Sequence, residues 1–166
     1  MEIRPTTIDD LEQVMPVFEQ AKRFMRQHGN LRQWTGGYPS REIIQADMEA
    51  ASSFVCLDDE GAIVGTFCFR YGAAPEPTYA TIYDGAWLND KPYGVIHRIA
   101  SAGRVGGIFA AALDYCWDYV DNIRIDTHRD NRVMQELLVC HGFSRCGIIY
   151  LANGDERIAF QREFLR

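Results

Sequence analysis

The 166-residue chain lacks any basic excess: 17 Lys and Arg stand against 23 Asp and Glu, a formal net charge of −6 at pH 7. A broad nucleic-acid surface needs a basic field, so no nucleic-acid partner is expected. The acidic balance mildly favours cationic acceptors such as amines, by steering. No apolar run approaches the length of a membrane span, and the opening Met-Glu-Ile-Arg-Pro has neither the charged nor the apolar region of a signal peptide. No membrane partner is therefore expected. The five cysteines (Cys56, Cys68, Cys116, Cys140, Cys146) form no C-x-x-C pair and no His/Cys ligand spacing, so no metal is expected. They lie within apolar runs, where free Cys acts as a small buried hydrophobe, and an odd, unpatterned set fits a reducing compartment, the cytoplasm. Neither a Gly-Lys-Ser/Thr loop nor Gly-x-Gly-x-x-Gly occurs, which disfavours ATP in a Walker-type loop and a dinucleotide.

What is present suits one globular domain spanning residues 1–166: 47% of residues are hydrophobic and 24% charged, and the length is too small for two ordinary domains. Ile3 to Pro5 reads as a short strand. Thr7-x-x-Asp10 caps a helix carrying Leu11, Val14, Met15, Phe18 and Ala21, with Pro16 expected to kink it or displace its start. Residues 28–39 read as a loop, and Ser40 caps a helix with Ile43, Ile44, Met48 and Ala51 inward. Phe54–Leu57 and Ala62–Arg70 form a hairpin. Tyr79–Trp87 is expected to extend the sheet. Cys146–Leu151 and Arg157–Phe164 form a last hairpin through a type I′ turn at Asn153-Gly154, which can pair with a second copy to give a homodimer. The fold expected is α/β (α+β), a mixed, mostly antiparallel sheet flanked by about four helices.

The centre of the chain, Gly94 to Phe143, orders an apolar extended run, a glycine turn, a helix, a second strand and a second helix. Ile108, Ala112, Tyr115, Cys116 and Tyr119 recur at one-face helical spacing, and the helix is expected to end near Asp121-Asn122. Ile123 and Ile125 alternate with polar residues as in a half-buried strand. Asp130 is placed to cap a helix with Met134, Leu137, Leu138 and His141 inward, closed by Gly142. A glycine turn leading from a strand into a helix presents free backbone N–H groups to an anion, so a phosphate-bearing ligand is the first expectation.

Arg104-Val105-Gly106-Gly107-Ile108-Phe109, with Asn131 followed eleven residues later by Gly142-Phe143, resembles the GNAT superfamily of acetyl-CoA-dependent N-acetyltransferases. The flanks agree: the Ile-Arg-Pro start, Gln33-Trp34…Tyr38-Pro39, and Ile63 to Phe67. The resemblance implies an acyl-CoA N-acyltransferase fold, with acetyl-CoA as co-substrate and a small-molecule or peptide amine as acceptor, by direct attack in a ternary complex. It implies that backbone groups of Ile99, Ala100 and Ser101 line the pantetheine. Arg104 to Phe109 would hold the pyrophosphate, and Asn131 and Met134 would lie along the arm. Two positions depart from the family pattern. Phe109 stands where Gly or Ala is usual, so a bulky ring is expected at the point of closest phosphate approach. Leu138 stands where many members carry a Tyr that protonates the leaving thiolate.

For a base, His97 is the candidate, since imidazole titrates near neutrality and the residue lies in the strand expected beside the thioester. Trp34, Tyr38, Tyr83 and Trp87 are the aromatic candidates for an acceptor pocket, with Glu76 and Asp84 as carboxylates for an amine. Asp126-Thr127-His128 has the letters of a hydrolase triad, but adjacent strand residues point to opposite faces, and no serine nucleophile accompanies them. The alternative to an enzyme is a non-catalytic acyl-CoA-binding module, to which Phe109 and Leu138 would matter less.

Overall fold

A computed structural model describes residues Met1–Arg166. Seven strands form one sheet in the order β1-β2-β3-β4-β5-β7-β6: β1 Glu2–Pro5, β2 Ser53–Leu57, β3 Ile63–Gly72, β4 Tyr93–Ser101, β5 Asn122–Thr127, β6 Ser144–Tyr150 and β7 Glu156–Glu163. Every pairing is antiparallel except β4 with β5. Four helices pack on it: α1 Leu11–Gln27, α2 Arg41–Glu49, α3 Ile108–Trp117 and α4 Arg132–Cys140.

The sequence starts its helices with recognisable caps. Asp10 accepts the Thr7 N–H at 2.7 Å and a bidentate Arg4, and these bonds, Arg4's foremost, hold its carboxyl at about 2. A 3₁₀ turn over Ile8–Asp10 delays α1 to Leu11. The helix then runs unbroken past Pro16, which lies on its exposed side. Ser40 accepts the Ile43 N–H and opens α2.

One sheet face is covered by α3 and α4, where Phe54, Phe67 and Ile125 meet Ile108, Phe109 and Leu138. The other face is divided. α1 and α2 cover β2 and β3 through Val14, Phe18, Ile44 and Val55. The segment between β3 and β4 covers the far side through Tyr79, packed with Tyr93, Val95, Ile149 and Ala159. Between these two covers the sheet is open, and that opening becomes the site.

Several local expectations are corrected. Tyr79–Trp87 is not a strand. A 3₁₀ turn at Pro77–Tyr79 and a positive φ at Asp84 fold it back, so the Tyr79 and Trp87 rings lie 5.1 Å apart. Its one β-bridge to the sheet is Tyr83 with Ile148. Helix α3 stops at Trp117, because Asp118 and Tyr119 turn back onto Tyr115 and Cys116, and Tyr119 is exposed. Asn131 rather than Asp130 caps α4, its Oδ1 accepting the Met134 N–H at 3.1 Å, while Asp130 receives Arg32. Ala51 is exposed beyond the end of α2. The last hairpin closes over residues 151–155, with the Leu151 N–H on Asp155 O, so it is wider than a two-residue type I′ turn.

The loop at Tyr83–Ala86 lies flat on β6. Tyr83 and Ile148 exchange N–H···O bonds of 2.8 Å, and Ala86 N–H reaches Cys146 O at 3.0 Å. That approach requires glycine at 147, where a Cβ would stand 2.4 Å from Tyr83 O. Gly147→Ala is expected to cost about 1–3 kcal/mol of overpacking strain, measured as a shifted urea midpoint with an unchanged m-value.

Candidate active site

β4 and β5 pair at only two positions, Gly94 with Ile123 and Val95 with Arg124. Beyond Val95 the strands part. The divergence coincides with a bulge in β4: Thr66 faces Ala100 but Cys68 faces His97, so β4 carries one extra residue there. Arg98, with φ of 49°, sits in the bulge in the left-handed region.

Such a backbone must be held by its surroundings. Arg98 Nε and Nη2 donate to the two oxygens of Asp47 at 2.8 and 2.7 Å, and Nη1 donates to Tyr38 Oη at 3.0 Å. Asp47 is 2% exposed and also receives Arg70 Nη2 at 2.9 Å. Burial disfavours the Arg98 charge, and the bonds to Asp47 outweigh this and raise its pKa. Helix α2 and the loop before it are thereby fastened to the bulge.

The opening is a cleft of about 590 Å³. His97, Arg98 and Ile99 line it from β4, Asp126 and Thr127 from β5, and Asn131 and Met134 from α4. Trp34 and Tyr38 lie on its rim-side loop and Arg157 on β7. His97 Nε2 lies 2.9 Å from Glu76 Oε2, while Thr78 donates its hydroxyl and N–H to Oε1. Burial pushes the Glu76 carboxyl up, but the bonds from His97 and Thr78 prevail and bring it to about 2. The Tyr79 hydroxyl donates to Asp126 Oδ2 at 2.5 Å, and burial foremost, with Asp126 beside it, raises Tyr79 well above the ordinary tyrosine value.

At the end of β4 the glycine turn leads into α3. Gly107, with φ of 83°, is the residue before the helix. Ser101 Oγ accepts the Gly103 N–H, and Arg104 reaches back to Ile63 O at 3.2 Å. From Arg104 to Ala110 no backbone N–H donates to an acceptor within the chain, and no atom lies within 4 Å of a Cβ built at Gly106 or Gly107. An exposed row of donors at a helix N-terminus is an anion cradle. Phe109 does not obstruct it. Its ring falls on the inward stripe with Ala112, Leu113 and Cys116, edge-on to His141 at 5.1 Å. Leu138 is fully buried in the same core.

A scan of family sequence models gives no match, and a search of curated sequences gives none. Among solved structures, an acetyltransferase of the GNAT family from Streptococcus agalactiae 2603 is 30% identical, covering 99% of this chain and 96% of its own, with a TM-score of 0.88. This chain belongs to the GNAT family. GNAT acetyltransferases from Listeria monocytogenes 4b F2365 and Bacillus cereus ATCC 10987, each 20% identical, share the fold at TM-scores of 0.67 and 0.61. They cover 98% and 99% of this chain, and 94% and 98% of their own. No helix is long and apolar enough to cross a membrane, and no group of three or more His, Cys, Asp or Glu side chains is placed to hold a metal ion.

The GNAT fold thus gathers some candidates and disperses others. His97, Ile99, Asn131, Met134, Trp34 and Tyr38 share the cleft, and Ala100 and Ser101 continue β4 toward the turn. Arg104, Val105, Gly106, Gly107 and Ile108 form the turn and helix start. Tyr83 is exposed beside Tyr150, and Trp87 stacks on Arg124 while donating to Tyr79 O, so neither lines the cleft. Asp84 does not line it either, whereas Glu76 does. The Asn131 amide is committed to Gln33 Oε1 at 3.0 Å as well as to its cap. Sequence reasoning missed Asp47, Arg98 and Arg157. Asp47 carried a signal, being an acid three and four residues from the inward Ile44 and Ile43.

Asp47→Ala leaves the Arg98 charge buried without its partner and is expected to cost about 3–5 kcal/mol in denaturant unfolding. Because its carboxyl is depressed from 4.5 to about 2, Glu76 stabilises the folded state above 4.5, and this contribution is lost as pH falls toward 2. The stability gap between wild type and Glu76→Gln is therefore expected to be full above 4.5 and to close toward pH 2, in unfolding curves taken across that window.

Proposed function

We propose that this GNAT acetyltransferase transfers the acetyl group of acetyl-CoA to a primary amine of a small molecule or peptide, within a ternary complex in the β4–β5 cleft. The observation that carries the reading is a wedge with an open anion cradle at one end and an oriented imidazole on its wall. Thr127 supports the coenzyme's fit: its hydroxyl is buried, lines the cleft and has no partner in the chain. The Arg104–Ala110 donors suit a pyrophosphate, with the α3 dipole behind them. Beyond Val95 the β5-facing edge of β4 is unpaired, which suits the amides of a pantetheine arm. Acetyl-CoA supplies a thioester, whose carbonyl carbon bonds to the amine nitrogen as the C–S bond breaks and the thiolate leaves.

His97 serves as the base. With Nε2 facing the ionised Glu76, the favoured tautomer carries its proton there and leaves Nδ1, which has no partner in the chain, to take a proton from the acceptor's ammonium. Glu76 is a positioning residue for that tautomer. Trp34 and Tyr38 wall the acceptor side. Phe109 bars nothing, so coenzyme affinity is expected to be ordinary for such a site.

A second reading, a non-catalytic acyl-CoA-binding module, is favoured by Leu138, which puts a buried hydrocarbon where a thiolate-protonating tyrosine would stand. Turnover separates the two. Calorimetric titration is expected to show acetyl-CoA and desulfo-CoA binding at micromolar level, about −8 kcal/mol, with ATP binding not detected. Gly107→Glu sets a carboxylate in the cradle and is expected to abolish that binding. His97→Gln is expected to leave coenzyme affinity unchanged and lower kcat by about 10²–10⁴-fold. Retained turnover in His97→Gln would remove His97 from the chemistry, and binding without transfer to any amine would support the second reading.

A further inference from the structure

The carboxylates of the cleft are supplied with donors by the chain itself. Asp47 has Arg98 and Arg70, Glu76 has His97 and Thr78, Asp126 has Tyr79, and Asp155 has Asn153. The unmet demand lies with a cation. Arg157 is only 8% exposed, lines the cleft, and pairs with no carboxylate. Its one hydrogen bond runs from Nη1 to the carbonyl of its own neighbour Glu156, at 2.9 Å. The Glu156 side chain goes instead to Arg129, at 3.7 Å.

The remaining guanidinium donors of Arg157 face the cleft with no partner in the chain. Arg124, the neighbouring buried cation of the sheet, is covered differently. It is 5% exposed and also lacks a carboxylate, but it lies 4.3 Å from the Trp87 ring centre and 4.2 Å from that of Tyr93, and donates to Asn89 O at 2.7 Å. No ring covers Arg157 in this way. Register places it on the site's side of the sheet. Asp126 faces Ala159, two residues from Arg157, and Val95, two residues from His97, pairs with Arg124, two residues from Asp126. His97, Asp126 and Arg157 therefore share one face. Arg157 stands two strands from His97, and because β4 parts from β5 beyond Val95 the gap exceeds the roughly 10 Å that two paired-strand spacings would give.

We infer that Arg157 binds an anionic group of the acceptor, which makes the substrate a small amine that also carries a carboxylate. This deepens the proposed N-acetyltransferase reading and rests on it for the amine end. The acceptor's ammonium faces His97 while its carboxylate takes the fork of Arg157, a geometry suited to bidentate recognition. It departs from the simple expectation drawn from net charge, because a polycation would meet Arg157 unpaired on the same face.

The test is a substrate series on the whole protein: straight-chain amino acids from glycine to 6-aminohexanoate, each against the alkylamine lacking the carboxylate. With acetyl-CoA, the best amino acid is expected to exceed its alkylamine by about 10- to 100-fold in kcat/KM. Arg157→Gln should erase that preference and Arg157→Lys retain part of it, both with unchanged acetyl-CoA affinity and with folding checked by thermal unfolding. Alkylamines that match the amino acids, or a preference that survives Arg157→Gln, would overturn the inference. So would a parallel loss of coenzyme affinity, which would assign Arg157 to the coenzyme. If neither series is acetylated, the function proposed above fails, and calorimetry with the amino acids alone decides for Arg157. Binding by wild type that is lost in Arg157→Gln supports its role, and no binding by wild type overturns it.

Discussion

The ion pair between Asp47 and Arg98 is the fastening on which the site depends. A non-glycine residue at positive φ inside a strand does not persist by itself, and the bulge it occupies lies where β4 leaves β5. Both Asp47 oxygens are engaged by Arg98, with Arg70 and Tyr38 completing the network. Helix α2, the loop before it and two strands are thus tied at one point. If the bulge relaxed, β4 would be free to continue its ladder along β5 and the cleft would narrow.

The two ends of the opening work by different physics. At the turn the chain offers backbone donors and a helix dipole, with no side chain specific to the ligand beyond glycines that keep the approach clear. On the wall it uses side chains in low dielectric, where Glu76 lies 2.9 Å from His97 Nε2 and Tyr79 occupies Asp126. The first arrangement suits a ligand common to a family, and the second can vary from one member to the next. Arg157 belongs to the second.

The turn was legible in the sequence because it is local: Gly106-Gly107 after an apolar run, ahead of the one-face spacing that starts at Ile108, mark strand, turn and helix without knowledge of pairing. The α4 cap expected at Asp130, by contrast, falls one residue later, at Asn131. Phe109 could be misjudged by the same local reading. Its identity suggested an obstruction, while its position on the Ala112–Cys116 stripe, also in the sequence, shows the ring belongs to the core. Asp47, Arg98 and Arg157 are of another kind. Their roles come from partners 51 residues apart, in the case of Asp47 and Arg98, and from which face a strand presents, neither of which periodicity reports. The Tyr79–Trp87 segment failed for a related reason. Its aromatic content suits a strand, but the two rings pack against each other at a tilt and Asp84 breaks the extended course.

The loop lying on β6 has a consequence for the sheet's margins. A β-sheet ends in rows of unpaired N–H and C=O groups that can template the addition of foreign strands, and proteins in crowded solution must blunt them. Here one margin is β1, four residues long and ending in Pro5. At the other, Tyr83 and Ala86 already use Cys146 O and both backbone groups of Ile148. The tight fit at Gly147 therefore also guards against aggregation, because the middle of that margin has few free bonds left to offer another chain.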